Sequence, residues 1–289
     1  MRLNDVISAI FRGVGQVMFQ NNILSGILML VGIGCNSILM CLFALLGTII
    51  STLTAIFLNY NSNNIKNGLY GFNGTLIGIA VPCFMSINIW SVLLMIIASI
   101  VTTFIVYVFE KQKKLPTLTA PFVIITWLML LISYAFPILQ QSKIEQNISK
   151  EPFLLLQALS LNFGQIMLQG KSLFTGLLFF LAMLVNSRKM AIEFFLAGLL
   201  SLIVCWLPFV ETHSINNGMY GYNVVLTVLA IANILNTKTH IYIKVLVGFI
   251  LSLVIQFVGL KLGFITLTAP FVISVWIVAL YNTFFDSKK

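Results

Sequence analysis

This 289-residue chain carries a formal net charge of +9, yet 60% of its residues are apolar and only 8% are charged. A soluble domain holds about 25% charged residues, so the composition excludes a soluble fold and describes a polytopic membrane protein. The basic residues are scattered over short segments rather than gathered on one face, which argues against nucleic acid as a partner, and the four cysteines, without metal or redox spacing, read as apolar filler.

Along the first half, five uncharged stretches approach or exceed the roughly 20 residues that cross about 30 Å of hydrocarbon: 13–33, 36–59, 67–86, 88–109 and 115–136. The N-terminus lacks the basic, apolar and cleavage-site succession of a signal peptide, so no cleaved leader is expected. Asn147-Ile148-Ser149 fits a glycosylation sequon, a triplet that also arises by chance. The pattern then starts again. GQVMFQ at Gly15–Gln20 recurs as GQIMLQ at Gly164–Gln169, NGLYGFN at Asn67–Asn73 as NGMYGYN at Asn217–Asn223, and LTAPFVIITW at Leu118–Trp127 as LTAPFVISVW at Leu267–Trp276. The three pairs are collinear and 149 or 150 residues apart, so the chain reads as a duplication, residues 1–145 and 146–289, the halves together making one pore domain.

Five spans per half turn the second half upside down. With the N-terminus inside, ten crossings leave Arg2, Arg12, Lys66, Lys111, Lys113, Lys114, Arg188, Lys189, Lys238, Lys244, Lys288 and Lys289 in the cytoplasm. Only Lys143, Lys150 and Lys261 lie outside, as the positive-inside rule requires; Lys171 falls within a span. The fold class is therefore an all-α polytopic membrane protein of two inverted five-helix repeats, with short interrupted pore helices around a central pore and both termini cytoplasmic.

Matched segments of inverted repeats meet near the bilayer midplane, and irregular backbone is tolerated there only where it is buried or lines a cavity. Gly68, Gly71, Gly74, Gly218 and Gly221 would let backbones approach, with Asn73 and Asn223 satisfying freed backbone groups; the alternative is plain helix packing through small residues. Pro121 and Pro270 suit the first turn of helices starting at Thr119 and Thr268, where free N–H groups and a hydroxyl would face a solute. The alternative is a kinked span whose threonine bonds back to its own helix. Gln16 and Gln165 each precede a helix break, and serve either a pore or interhelical adhesion.

The two histidines, His213 and His240, fall in predicted loops, and the seven acids sit at span ends or in loops. Proton relays need intramembrane Asp, Glu or His, and cation filters need acids or carbonyls in rings; neither pattern is present. No metal cluster, phosphate loop or nucleophile–base pair appears, so no cofactor and no catalysis are expected. An uncharged, duplicated pore argues for a small neutral polar solute moving down its gradient.

GQVMFQNNILSG, NGLYGFNGTLIG and LPTLTAPF, present in both halves in whole or in part, closely resemble the urea transporter family over nearly the whole chain. The resemblance implies a channel-type facilitator of passive urea permeation in the cell membrane, a homotrimer surrounded by lipid with one pore per protomer. By motif match it assigns Gln16, Phe19, Phe72, Leu76 and Thr119 from the first half, and Gln165, Ile166, Tyr222 and Thr268 from the second, to a narrow filter. Aromatic rings would form flat slots and backbone carbonyls a ladder of acceptors for urea N–H groups. Three positions depart from the family: Ile23 stands where many relatives have proline, Gln165 where bacterial relatives can carry Glu, and Tyr222 in place of a second Phe. The tyrosine hydroxyl either narrows the slot or adds a hydrogen bond. The rival solutes are another short amide, ammonia or water. Ammonia calls for pore histidines and water for paired Asn-Pro-Ala turns, both missing from the spans. An intramembrane enzyme is the remotest reading.

Overall fold

The structure, a computed structural model, describes residues 1–141, 152–235 and 240–285. The duplication boundary after residue 145, the sequon at Asn147, and Lys143, Glu145, Lys150, Glu151, Lys238, Asp286, Lys288 and Lys289 lie outside the described residues.

Hydrocarbon offers no partners to backbone N–H and C=O groups, so an apolar chain of this kind satisfies them within helices. The first half folds as α1 (Leu3–Gln16), α2 (Ile23–Asn36), α3 (Ile38–Phe57), α4 (Ser62–Lys66), α5 (Phe72–Phe84), α6 (Ile89–Gln112) and α7 (Ala120–Ala135). The second repeats that order as α8 (Leu155–Gly164), α9 (Leu173–Asn186), α10 (Arg188–Ser201), α11 (Thr212–Asn216), α12 (Gly221–Asn233), α13 (Ile241–Lys261) and α14 (Ala269–Phe285). Even the caps correspond: the Ser37 hydroxyl accepts from the Met40 N–H at the start of α3, and Ser187 from Met190 at the start of α10.

Among the described residues, α3, α6, α13 and the segment Arg188–Trp206 are long and apolar enough to cross a membrane. The 20 residues of α3 rise about 30 Å, whereas the 14 of α2 rise only about 21 Å. The expected span 13–33 is in fact two helices. The chain leaves α1 after Gln16, turns through Phe19 at φ +62°, and restarts α2 under an Asn22 cap that accepts from Ser25 N–H. The polar GQ and QNN residues supply the caps and turn bonds for this break. Its second-half counterpart holds Lys171, which sits exposed in the turn before α9 and not within a helix. His213 likewise lies in the short helix α11 instead of a loop.

The halves interlock reciprocally. Ser25 Oγ on α2 donates to Ala182 O on α9 at 2.7 Å, and the matched Thr175 Oγ1 on α9 donates to Gly32 O on α2 at 2.7 Å, so these equivalent helices run antiparallel. Trp127 Nε1 reaches Ile265 O at 2.8 Å while Trp276 Nε1 reaches Pro116 O at 2.8 Å. At the centre, α5 is buried at every position from Phe72 to Val81 and α12 from Gly221 to Ile231. With no solvent face, these helices carry apolar residues on every side, and their buried polar side chains, among them Asn73, Thr75, Asn223 and Thr227, bond within the protein. On the perimeter, Ile97, Val101, Phe104 and Val108 form an outward apolar stripe along α6.

Candidate functional site

Each half has three breaks, two of which reach the other half through the Phe19–Phe271 and Thr119–Thr268 contacts, while the third packs on its own half. The turn before α5 uses Gly68 at φ +76°, and its match before α12 uses Gly218 at φ +72°. A Cβ on Gly68 would run into the backbone of Arg12 and Gly13, and one on Gly218 into that of Leu161 and Asn162. These glycines therefore serve both a left-handed turn and a close approach to the preceding helix. Gln16 Nε2 donates to Asn67 O at 2.9 Å, and Gln165 Nε2 donates to Asn217 O at 3.0 Å. The interhelical role of the glutamines is thus real, and it takes one N–H of each. Arg12 Nη1 donates to Lys66 O nearby, and Lys66 pairs with Asp5 at 3.4 Å. The Lys66 hydrogen bond holds the Asp5 carboxyl below its usual pKa.

The LTAPF turns carry a second strained pair, Leu118 at φ +48° and Leu267 at φ +49°. Left-handed backbone is costly for a branched residue, and each turn is held by a buried asparagine. Asn73 donates Nδ2–H to Leu118 O at 3.3 Å and accepts from Phe122 N–H at 3.0 Å. Asn223 donates to Leu267 O at 3.1 Å and accepts from Phe271 N–H at 3.2 Å. Each asparagine thus satisfies one carbonyl before the helix and one orphan N–H in its first turn.

Helices α7 and α14 start directly after Thr119 and Thr268, as the prolines suggest. Among the described residues the threonine hydroxyls make no bond back to their own helices. Their hydroxyls meet each other across the two halves, Oγ1 to Oγ1 at 2.6 Å, with both residues 2% exposed. One hydroxyl hydrogen suffices for that bond, so the pair retains an O–H and lone pairs for a third group.

Phe19 packs edge-to-face on Phe271 of the other half, centroids 6.2 Å apart at 65°. Phe72 begins α5 with Leu76 one turn later on the same face, both buried. Gln165 and Tyr222 are brought together in the wall of a cavity of about 230 Å³, with Leu168, Thr266 and Leu267. That volume lies below the range typical of drug-sized ligand pockets. Tyr222 does add a hydrogen bond: its hydroxyl donates to Leu267 O at 2.7 Å and lies 3.2 Å from Thr266 Oγ1. Ile166 is fully buried in the hydrophobic cluster. The motif match passed over Leu168, although the repeat spacing from Phe19 points to it and it shares the left-handed conformation, φ +58°. It also passed over Phe271 and Thr266.

The urea transporter family profile matches residues 7–283. The chain belongs to the urea transporter family. Among individual relatives, urea transporter 1 of Rattus norvegicus is 30% identical over 251 residues, covering 80% of this chain and 65% of the rat protein. Urea transporter 1 of Mus musculus has the same identity and coverage, and that of Ovis aries is 28% identical over 250 residues. The chain therefore spans about two thirds of the length of the curated urea transporter relatives it matches. Among the described residues, no group of three or more His, Cys, Asp or Glu side chains could hold a metal ion.

Proposed function

We propose that the chain is a channel-type facilitator through which urea crosses the cell membrane passively. The observation that carries this reading is the buried Thr119–Thr268 pair, where two matched helix starts bring an uncommitted hydroxyl hydrogen and its lone pairs to one point between the halves, while the first-turn N–H groups are already taken by protein acceptors. Urea is flat and uncharged, with four N–H hydrogens and one carbonyl oxygen. A threonine O–H suits that carbonyl, while hydroxyl and backbone oxygens suit its N–H groups. Gln16 and Gln165 keep one N–H and the amide oxygen for the same purpose. Phe19, Phe72, Leu76, Ile166 and Tyr222 supply walls that give a hydrated ion no replacement for its water shell.

The reading includes two inverted five-helix repeats, residues 1–145 and 146–289, which thread ten crossings with cytoplasmic termini. The antiparallel α2–α9 pair and the reciprocal tryptophan bonds support the inversion. The homotrimer implied by family resemblance belongs to the same proposal, and native mass spectrometry tests it. A facilitator of another short amide is the second reading, favoured only by the unspecialised chemistry of hydroxyl and amide groups.

Stopped-flow light scattering of proteoliposomes under an inward urea gradient tests the function, with Thr119→Val plus Thr268→Val as control. Electrically silent urea entry should exceed that of empty liposomes and fall about fivefold or more in the double variant, the loss of two net hydrogen bonds. Entry no faster than through empty liposomes, from folded protein, rejects urea as the solute.

A further inference from the structure

The two halves treat one carbonyl differently. A backbone oxygen has two lone pairs. Leu267 O receives two donors, Tyr222 O–H at 2.7 Å and Asn223 Nδ2–H at 3.1 Å. Its first-half counterpart is Leu118 O. Among the described residues that oxygen receives a single donor, Asn73 Nδ2–H at 3.3 Å, because the position matching Tyr222 is Phe72, which has no hydroxyl. Tyr222 gives its proton to Leu267 O, so Thr266 Oγ1, 3.2 Å away, is the donor in their contact. A directed chain results, Thr266 O–H to Tyr222 O to Leu267 C=O, in the wall of the 230 Å³ cavity that also holds Gln165 and Leu168.

We propose that Tyr222 is a specificity-determining residue that makes the pore asymmetric: its hydroxyl fills the acceptor on Leu267 that Leu118 leaves open, so N–H donors are held less tightly at this end. The proposal rests on the urea-channel reading. A solute entering the cavity finds a phenol oxygen that already gives one bond and receives another, where the opposite end offers an open carbonyl. The effect scales with donors: urea, with four N–H hydrogens, loses more than acetamide, with two.

The test is the half-saturation concentration for labelled urea and labelled acetamide exchange in proteoliposomes of the full chain, with Tyr222→Phe and the reciprocal Phe72→Tyr. Tyr222→Phe keeps the Asn223 bond to Leu267 and frees one lone pair. It should lower half-saturation for urea about two- to tenfold, the worth of one net hydrogen bond, with a smaller shift for acetamide. Phe72→Tyr should raise it, again more for urea. An unchanged or higher urea value in Tyr222→Phe, or equal shifts for the two solutes, overturns the proposal. So does a Tyr222→Phe protein that fails to assemble, because the hydroxyl would then serve folding. Wild-type vesicles that exchange urea no faster than empty ones reject the channel reading itself, a result visible before any variant is compared.

Discussion

Replacing Asn73 with alanine should destabilise the protein by about 2–6 kcal/mol. Asn73 is fully buried, and its amide holds two backbone groups that have no other partner among the described residues, Leu118 O and Phe122 N–H. Each stranded buried group costs about 1–3 kcal/mol. In Asn223→Ala the stranded groups are Phe271 N–H and Gln256 Oε1, because Tyr222 still serves Leu267 O. The two substitutions should therefore fall in the same range although their partners differ. A competing value comes from interhelical hydrogen bonds in membranes, which average about 0.6 kcal/mol because the unfolded chain in lipid also finds partners; two such bonds give only about 1.2 kcal/mol. Reversible unfolding in SDS mixed micelles, followed by circular dichroism, separates the two. Asn73→Asp is the informative comparator: buried this deeply, its carboxyl takes up a proton rather than stand as an unpaired charge, so it can still accept from Phe122 N–H but has a single hydrogen to offer Leu118 O. It should lie between wild type and alanine. A loss of about 1.2 kcal/mol or less in both alanine variants, the value for two ordinary interhelical bonds, would overturn the clamp.

Other substitutions test neighbouring parts of the same construction. Thr126 is 1% exposed and its hydroxyl has no partner among the described residues, so Thr126→Val should leave stability unchanged or raise it by up to about 1 kcal/mol, measured in the same micelles; a clear loss would mean the hydroxyl has a partner. Gly68→Ala combines a left-handed φ with a collision against the Arg12–Gly13 backbone, whereas Gly263, at φ +72°, has open space around it. Gly263→Ala should cost only the conformational penalty of about 1–2 kcal/mol, and Gly68→Ala markedly more, read as a lower yield of folded protein; equal losses would remove the close approach from the explanation.

Much of this fold was legible because duplication turns single residues into pairs. One Asn in an apolar segment says little, but Asn73 and Asn223 at a common spacing anticipate their shared task on freed backbone groups. The helix starts at Thr119 and Thr268 followed from proline chemistry, since a ring that fixes φ and lacks an N–H belongs in a first turn. The break within 13–33 was legible only in part. Hydropathy sees the uninterrupted apolar character of Val17, Met18 and Phe19, while the turn depends on a single left-handed residue and on side-chain amides that supply its missing bonds. The Thr119–Thr268 contact was beyond sequence because it depends on where two distant helix ends arrive.

Hydrogen-bond capacity left over after folding sorts the matched polar residues by what they can offer a solute. Gln20 is fully buried, with its nitrogen donating to Met18 O and its oxygen accepting from Asn186. Asn223 commits two N–H donations and an acceptance to protein groups. These are polar in composition and structural in effect. Gln16 and Gln165 each show one committed N–H among the described residues, and the Thr119–Thr268 pair needs only one of its two hydrogens. A passive pore for an uncharged solute needs groups of this second kind, because a solute released from water must regain its bonds without being held so well that it stays. The first kind is needed to keep four left-handed residues, Phe19, Leu118, Leu168 and Leu267, in place around them. Tyr222 stands between the classes: its proton is committed to Leu267, yet its oxygen lies in the cavity wall, and removing that one atom should shift an acceptor from the fold to the solute.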